Sequence, residues 1–178
     1  MQRKLPKKGE KHINIKNVEL IVYDFDGVMT DNKVILREDG LESVVVNRAD
    51  GLAIGIIKDM GIKQLILSKE KNRVVEVRAN KLGIQVVQGL DNKEEILLSY
   101  CKENDIQLKN VVYVGNDIND LEVMKIVGYP VCPVDACKEI KKIAKIILNV
   151  SGGEGVIREL INYINESTIK IYRNRRES

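Results

Sequence analysis

Two spacings of apolar residues alternate along this chain. Leu20-Ile21-Val22-Tyr23, residues 64–67 and Val111-Val112-Tyr113-Val114 are short runs with almost no polar member. A strand that is apolar on both sides is one covered on both faces, as in a parallel sheet. Between the runs, apolar residues recur at helical spacing: Val75, Ala79 and Leu82; Ile96, Leu97, Tyr100 and Cys101; Leu121, Met124 and Val127; Ile157, Leu160, Ile161 and Ile164. Gly61, Gly83 and Gly128 stand where helices would stop. The pattern predicts helices over about 51–60, 70–82 and 136–144, and short strands over 85–87, 131–132 and 146–148. Residues 33–36 and 43–46 flank Asp39-Gly40, the signature of a β-hairpin. Repeated β–α units of this kind predict an α/β fold, a doubly wound parallel sheet.

The periodic part spans 17–166 and reads as one domain, a size at which a chain buries roughly 70% of its unfolded surface. Residues 1–16 and 167–178 are polar and basic, and are expected to be flexible tails. Bulk composition narrows the function classes. Net charge is only +3, with basic and acidic residues interspersed, Trp is absent and there is one Phe. A nucleic-acid groove wants clustered cations and stacking aromatics, so no nucleic-acid partner is expected. No apolar stretch approaches the ~20 residues of a membrane span, and the basic start lacks the apolar core of a signal peptide. Cys101, Cys132 and Cys137 show no paired spacing, and the one histidine, His12, falls in the tail. Zinc is therefore not expected, and reduced thiols in a cytoplasmic protein are.

The polar residues that matter lie just past the apolar strands. Asp24 and Asp26 follow the first, in Asp24-Phe25-Asp26-Gly27-Val28; Ser68 follows the second; Lys93 opens the helix after the third; Gly115-Asn116-Asp117-Ile118-Asn119-Asp120 follows the fourth. Ligands on such a sheet bind outside the carboxyl ends of its strands, so all four can share one rim. Together these residue types suit phosphoryl transfer. Asp24 can attack phosphorus as a carboxylate nucleophile, and Asp26 can protonate the leaving alcohol and then activate water. Two carboxylates facing a phosphate call for a hard cation, Mg²⁺ above all, with Asp117 as a further ligand. Lys93 offers positive charge, and Ser68 a hydroxyl donor, to the phosphoryl oxygens.

These four elements, in this order and spacing, closely resemble the motifs of the haloacid dehalogenase superfamily, over roughly residues 18–164. The resemblance implies a Rossmann-like core with Asp24 as nucleophile and Asp26 as acid/base. It implies Mg²⁺ held by Asp24, the backbone carbonyl of Asp26, and Asp117, with Asp120 in support. Thr30, just after the first motif, is counted with the substrate-binding residues. Members usually carry a cap domain between the first and second or second and third motifs. Here those gaps hold only a hairpin with one helix, and one helix with one strand, so no cap domain is expected. Capless relatives that act on sugar phosphates are tetramers. A homotetramer is therefore expected, with the hairpin as a candidate interface and neighbouring subunits covering the site.

Within the capless group the chain resembles phosphatases of 2-keto-3-deoxy sugar-acid phosphates. Glu70, Arg78 and Lys81, expected on one helical face, resemble the branch acting on nonulosonate (sialic acid or deaminated sialic acid) 9-phosphates, where such residues contact the sugar from an adjoining subunit. The octulosonate 8-phosphate branch tends to carry Gly-Arg where Lys69-Glu70 stand, and Arg-Asp-Gly where this chain has Arg48-Ala49-Asp50-Gly51. A nonulosonate is therefore the first expectation and octulosonate 8-phosphate the alternative. The glycine-rich segment at 152–155 resembles one common to both branches, where glycines let backbone approach a site closely. Similar domains also serve as tetramer-forming modules of acylneuraminate cytidylyltransferases. Retention of Asp24, Asp26, Lys93 and Asp117, with no transferase-like stretch upstream, favours an active enzyme. A phosphate-accepting receiver domain fits poorly, because its aspartate acts without a neighbouring acid/base Asp.

Overall fold

Neighbouring residues of the first strand enter two different cores. The computed structural model describes residues 13–164 apart from Leu90. In β1 (Leu20–Tyr23), Ile21 and Tyr23 join one apolar cluster, and Leu20 and Val22 join the other. In β6 (Val111–Val114), Val112 and Val114 go with Ile21, while Val111 and Tyr113 go with Leu20. Both strands are buried along their whole length. A two-residue side-chain period with both faces covered explains why these runs carry no polar alternation.

The other elements follow in chain order: β2 (Ile35–Leu36), β3 (Glu42–Ser43), α1 (Arg48–Asp59), β4 (Lys63–Leu67), α2 (Arg73–Leu82), β5 (Gln85–Val87), α3 (Lys93–Glu103), α4 (Leu121–Ile126), β7 (Tyr129–Cys132), α5 (Lys138–Ile143), β8 (Ile146–Ile147) and α6 (Val156–Leu160). Six strands form a parallel sheet in the order β5-β4-β1-β6-β7-β8. Core residues of α1, α2 and α6 belong to the cluster on one face; those of α3, α4 and α5 belong to the other. The chain winds outward from β1 through β4 to β5, then returns to the far side of β1 with β6. That reversal leaves a crevice at the carboxyl ends of β1 and β6, where sheets of this type place their ligands.

Several element boundaries differ from expectation for local reasons. Helix α1 starts at Arg48 because the Asn47 side chain accepts from the Ala49 amide and caps it. Helix α2 starts at Arg73, three residues later than the spacing suggested. Glu70 Oε1 accepts the amides of Lys71 (2.7 Å) and Asn72 (2.9 Å), and the Asn72 side chain then caps the helix. Side-chain bonds to nearby backbone compete with helix formation and hold 70–72 as a turn. The last predicted helix is shorter: after α6 the chain tightens into a 3₁₀ turn, Ile161–Tyr163.

Residues 13–16, assigned above to a flexible tail, are packed instead. Ile13 bridges Ile164, its amide donates to the Tyr163 carbonyl at 2.8 Å, and Ile13 and Ile15 are buried in the core. His12 and the C-terminal tail at 167–178 lie outside the described residues. The hairpin forms with Ile35 opposite Ser43 and Leu36 opposite Glu42, and it stands apart from the six-stranded sheet. Only this hairpin and α1 separate β1 from β4, and only α2 and β5 separate β4 from α3. No cap domain exists among the described residues.

Candidate active site

The chain leaves β1 into a closed turn. The Phe25 carbonyl accepts the amides of Val28, Met29 and Thr30, and Gly27 takes a left-handed conformation with φ of 77°. This conformation is open to glycine at no steric cost, and a Cβ at position 27 would collide with the Asn116 side chain. The turn leaves Asp24 at the strand end, only 4% exposed, and Asp26 half-buried beside it. Asp24 Oδ1 accepts the Phe25 amide at 2.7 Å.

Lys93, 2% exposed at the first turn of α3, reaches beneath this rim. Its Nζ lies 2.7 Å from Asp24 Oδ1 and 2.7 Å from Asp120 Oδ1. Asp120 is fully buried and organises the loop after β6. Its Oδ2 accepts the amides of Asn116 (2.9 Å) and Asp117 (3.3 Å), and its Oδ1 also accepts the Tyr113 hydroxyl at 2.8 Å. Asp117 caps the short 3₁₀ turn Ile118–Asp120 with its own Oδ1. Ser68 lies just past β4 and is buried; its Oγ accepts the Glu70 amide at 3.1 Å.

These elements open on one cavity of about 670 Å³. Asp24, Asp26, Ser68, Asn116 and Asp117 line its floor and far rim, and Lys69, Glu70 and Val74 line the β4 side. The near wall comes from the hairpin region, through Asn32, Lys33, Val34, Glu42 and Val44. That wall went unseen in the sequence, because nothing local says which way a hairpin folds.

One ammonium here faces two buried carboxylates, so negative charge is in excess. Burial first, then the Asp120 carboxylate, pushes the Asp24 carboxyl up to about 8, against the opposing pull of Lys93. Burial works against the Lys93 ammonium as well, but Asp24 and then Asp120 outweigh it and hold its pKa above the usual range. Burial also raises Asp26; the Thr30 hydrogen bond opposes that, and Glu70 and Glu42 add to it. Among the described residues, no group of three or more His, Cys, Asp or Glu side chains forms a ready metal cage. The oxygens on offer are two carboxylates, Asp24 and Asp117, the Asp26 carbonyl, and a buried Asn116 Oδ1 that has no hydrogen-bond partner.

Asp24, Asp26, Ser68, Lys93, Asp117 and Asp120, all singled out in the sequence, thus meet at one place. Thr30 does not line the cavity: it is fully buried, and its hydroxyl donates to Asp26 Oδ1 (3.2 Å) while accepting the amides of Gly27 and Asn32. It organises the turn instead. Glu70 lines the cavity but precedes α2, so it does not share a helical face with Arg78 and Lys81. Arg78 and Lys81 do not line the cavity of their own chain; Arg78 Nη2 donates to the Asn47 carbonyl at 2.9 Å, against the start of α1. Tyr113, as the hydroxyl partner of Asp120, was missed, since a tyrosine inside an apolar run reads as core. The Gly152-Gly153 segment lies against the first turn: the Gly153 amide donates to the Val28 carbonyl at 3.1 Å, and a Cβ on Gly152 would press on the Thr30 carbonyl.

A profile of haloacid dehalogenase-like hydrolases matches residues 54–160. The 3-deoxy-D-manno-octulosonate 8-phosphate phosphatase KdsC of Salmonella typhi is 31% identical over 150 residues, covering 84% of this chain and 80% of that protein. The same phosphatase from Moraxella catarrhalis, solved with magnesium, phosphate and KDO, superimposes with a TM-score of 0.83 at 27% identity, over 90% of this chain and 95% of that one. A Yersinia pestis structure of that phosphatase gives a TM-score of 0.83 at 30% identity, over 88% and 85%.

Proposed function

The chain belongs to the haloacid dehalogenase-like hydrolases, and from that premise we propose that it is a Mg²⁺-dependent phosphatase of 2-keto-3-deoxy sugar-acid phosphates. One observation carries this reading: Asp24, Asp26, Ser68 and Asp117 line a single cavity at the switch point of the sheet, with Lys93 directly beneath Asp24. In this reading an Asp24 oxygen attacks phosphorus, the ester P–O bond breaks, and the departing alkoxide takes a proton from Asp26. Water, deprotonated by Asp26, then cleaves the aspartyl-phosphate. Lys93 fixes Asp24 through Oδ1 and offsets part of its charge, and the Ser68 hydroxyl faces the transferred group.

The donor set suits Mg²⁺. Asp24, the Asp26 carbonyl and Asp117 would hold it. Two carboxylates and a carbonyl leave room for the several waters Mg²⁺ retains, and the unpartnered Asn116 Oδ1 is an acceptor for one of them. The bound ion would neutralise the charge that phosphate otherwise meets.

Octulosonate 8-phosphate is the leading substrate, because the relatives at 31% identity act on it. One observation favours a nonulosonate 9-phosphate: Lys69 and Glu70, which stand where the octulosonate branch tends to carry Gly-Arg, both line the cavity. Comparison of kcat/KM for octulosonate 8-phosphate, two nonulosonate 9-phosphates and p-nitrophenyl phosphate, with Mg²⁺, tests both. The preferred sugar acid should win by at least ~tenfold, about 1.4 kcal/mol in transition-state binding. Equal rates on all four would sink the sugar-acid assignment.

The hairpin region forms one wall of the cavity, and Val34, Ile35, Leu36, Leu41 and Val45 of that hairpin expose 51–70% of their surface. So much exposed apolar surface on one short ribbon is typical of an interface. We assign it to self-association, as a tetramer in which neighbours complete the cavity wall and can bring Arg78 and Lys81 toward a neighbour's sugar.

A further inference from the structure

Asn47 lies outside the cavity, yet it joins three segments remote from one another in the chain. Its Oδ1 accepts the Ala49 amide at 2.9 Å, its Nδ2 donates to the Gly153 carbonyl at 3.3 Å, and its own carbonyl accepts Arg78 Nη2 at 2.9 Å. Gly153 passes the connection on, since its amide donates to the Val28 carbonyl at 3.1 Å. A Cβ on Gly153 would stand 2.6 Å from the Asp31 amide nitrogen, so this glycine segment rests directly on the turn that follows β1. In that turn Thr30 Oγ1 donates to Asp26 Oδ1 at 3.2 Å. The start of α1 also grips the helix that follows this segment, because Asp50 Oδ1 accepts the amide of Arg158 in α6 at 2.9 Å.

We propose that Asn47 is a positioning residue for Asp26, acting through Gly153 to hold the Phe25–Thr30 turn in register with Asp24. The inference rests on the phosphatase reading above. Asp26 serves both steps, but kcat/KM reports only events up to departure of the alcohol, where the two leaving groups differ. When the ester P–O bond breaks, the leaving oxygen needs the Asp26 proton only if that oxygen is strongly basic. A sugar alkoxide is; p-nitrophenolate departs without it.

The test compares the full-length protein with Asn47→Asp and Asn47→Ser. Both variants keep an oxygen that can cap α1, and both lose the amide Nδ2–H that reaches the Gly153 carbonyl, the serine hydroxyl being on a shorter side chain. With Mg²⁺ present, kcat/KM on octulosonate 8-phosphate or another alkyl phosphate should fall ~tenfold or more beyond any fall on p-nitrophenyl phosphate, as loss of general-acid assistance predicts. A residue that merely supports the fold would lower both substrates alike, so equal losses, or none, would overturn the proposal. The Asp24→Asn variant serves as the control: if the parent protein shows no Asp24-dependent turnover of either phosphate, the functional reading falls, and this inference with it.

Discussion

Lys93 Nζ stands 2.7 Å from Asp24 Oδ1, in a place where both side chains are almost wholly excluded from solvent. A second carboxylate, Asp120, lies at the same distance from that nitrogen. Removing one partner of a buried ionic group leaves uncompensated charge, which costs far more than the intact group contributes. Lys93→Met should therefore destabilise the protein by about 3 kcal/mol, read as a lower urea midpoint at a pH above the Asp24 value of about 8. An unchanged midpoint would mean that water or protonation already satisfies the two carboxylates.

Asp24→Asn keeps the size of the side chain and removes the nucleophile. Turnover of p-nitrophenyl phosphate should drop by ~10³-fold or more, with the fold intact by circular dichroism. A variant that hydrolyses at the parent rate would remove Asp24 from the chemistry.

The Asp24 carboxyl also sets a pH dependence. Its folded pKa, about 8, stands above the ordinary 3.8, so the folded protein holds this proton more tightly than the unfolded chain. The stability it contributes is complete below pH 3.8 and is lost as pH rises to about 8. Lys93, also raised, keeps its contribution until well above that window. A divalent cation that binds only the folded protein relieves the Asp24 charge. Mg²⁺ should thus raise Tm more at pH 8 than at pH 5.5, and equal increments at both would refute this account.

Burial pushes the Cys101 thiol up to about 11 and the Cys132 thiol up to about 12. The thiolate is the reactive form, so both should resist a disulfide reagent at pH 8. Cys137, partly exposed, should be labelled first. Mass spectrometry would show one modified cysteine in the native protein and three after denaturation; rapid labelling of Cys132 would contradict the packing described.

Ile35 and Leu36 expose 60% and 70% of their surface on the hairpin. If that ribbon joins subunits, Ile35→Glu with Leu36→Glu should shift the protein to a smaller species in light scattering without lowering its Tm below that of the dissociated parent. An unaltered mass would move the interface elsewhere.

Legibility in the sequence followed the range of the interaction. The apolar runs 20–23 and 111–114 announced buried parallel strands because alternation vanishes when both faces are covered. The polar residues just beyond them announced a site for the same reason, since they sit at strand ends whatever the order of the strands. Glu70 was misplaced on a helix because its carboxylate turns back to the Lys71 and Asn72 amides, a bond that spacing alone does not reveal. Thr30 was counted with the substrate-binding residues for its place just after the first motif, and that place did not reveal that its hydroxyl bonds within the turn. The cavity wall at Glu42 and Val44, and the links made by Asn47, had no local signal at all.

By itself, then, the sequence determined which segments become buried strands, where glycine ends helices, and which ionisable residues sit at the strand ends. Those features depend on residues a few places apart. Only the tertiary structure decided that β6 returns beside β1, that one lysine joins Asp24 to Asp120, and that the hairpin walls the cavity. Each of these is set by the packing of two cores against one sheet, a sum over many distant contacts that no short window of the chain contains.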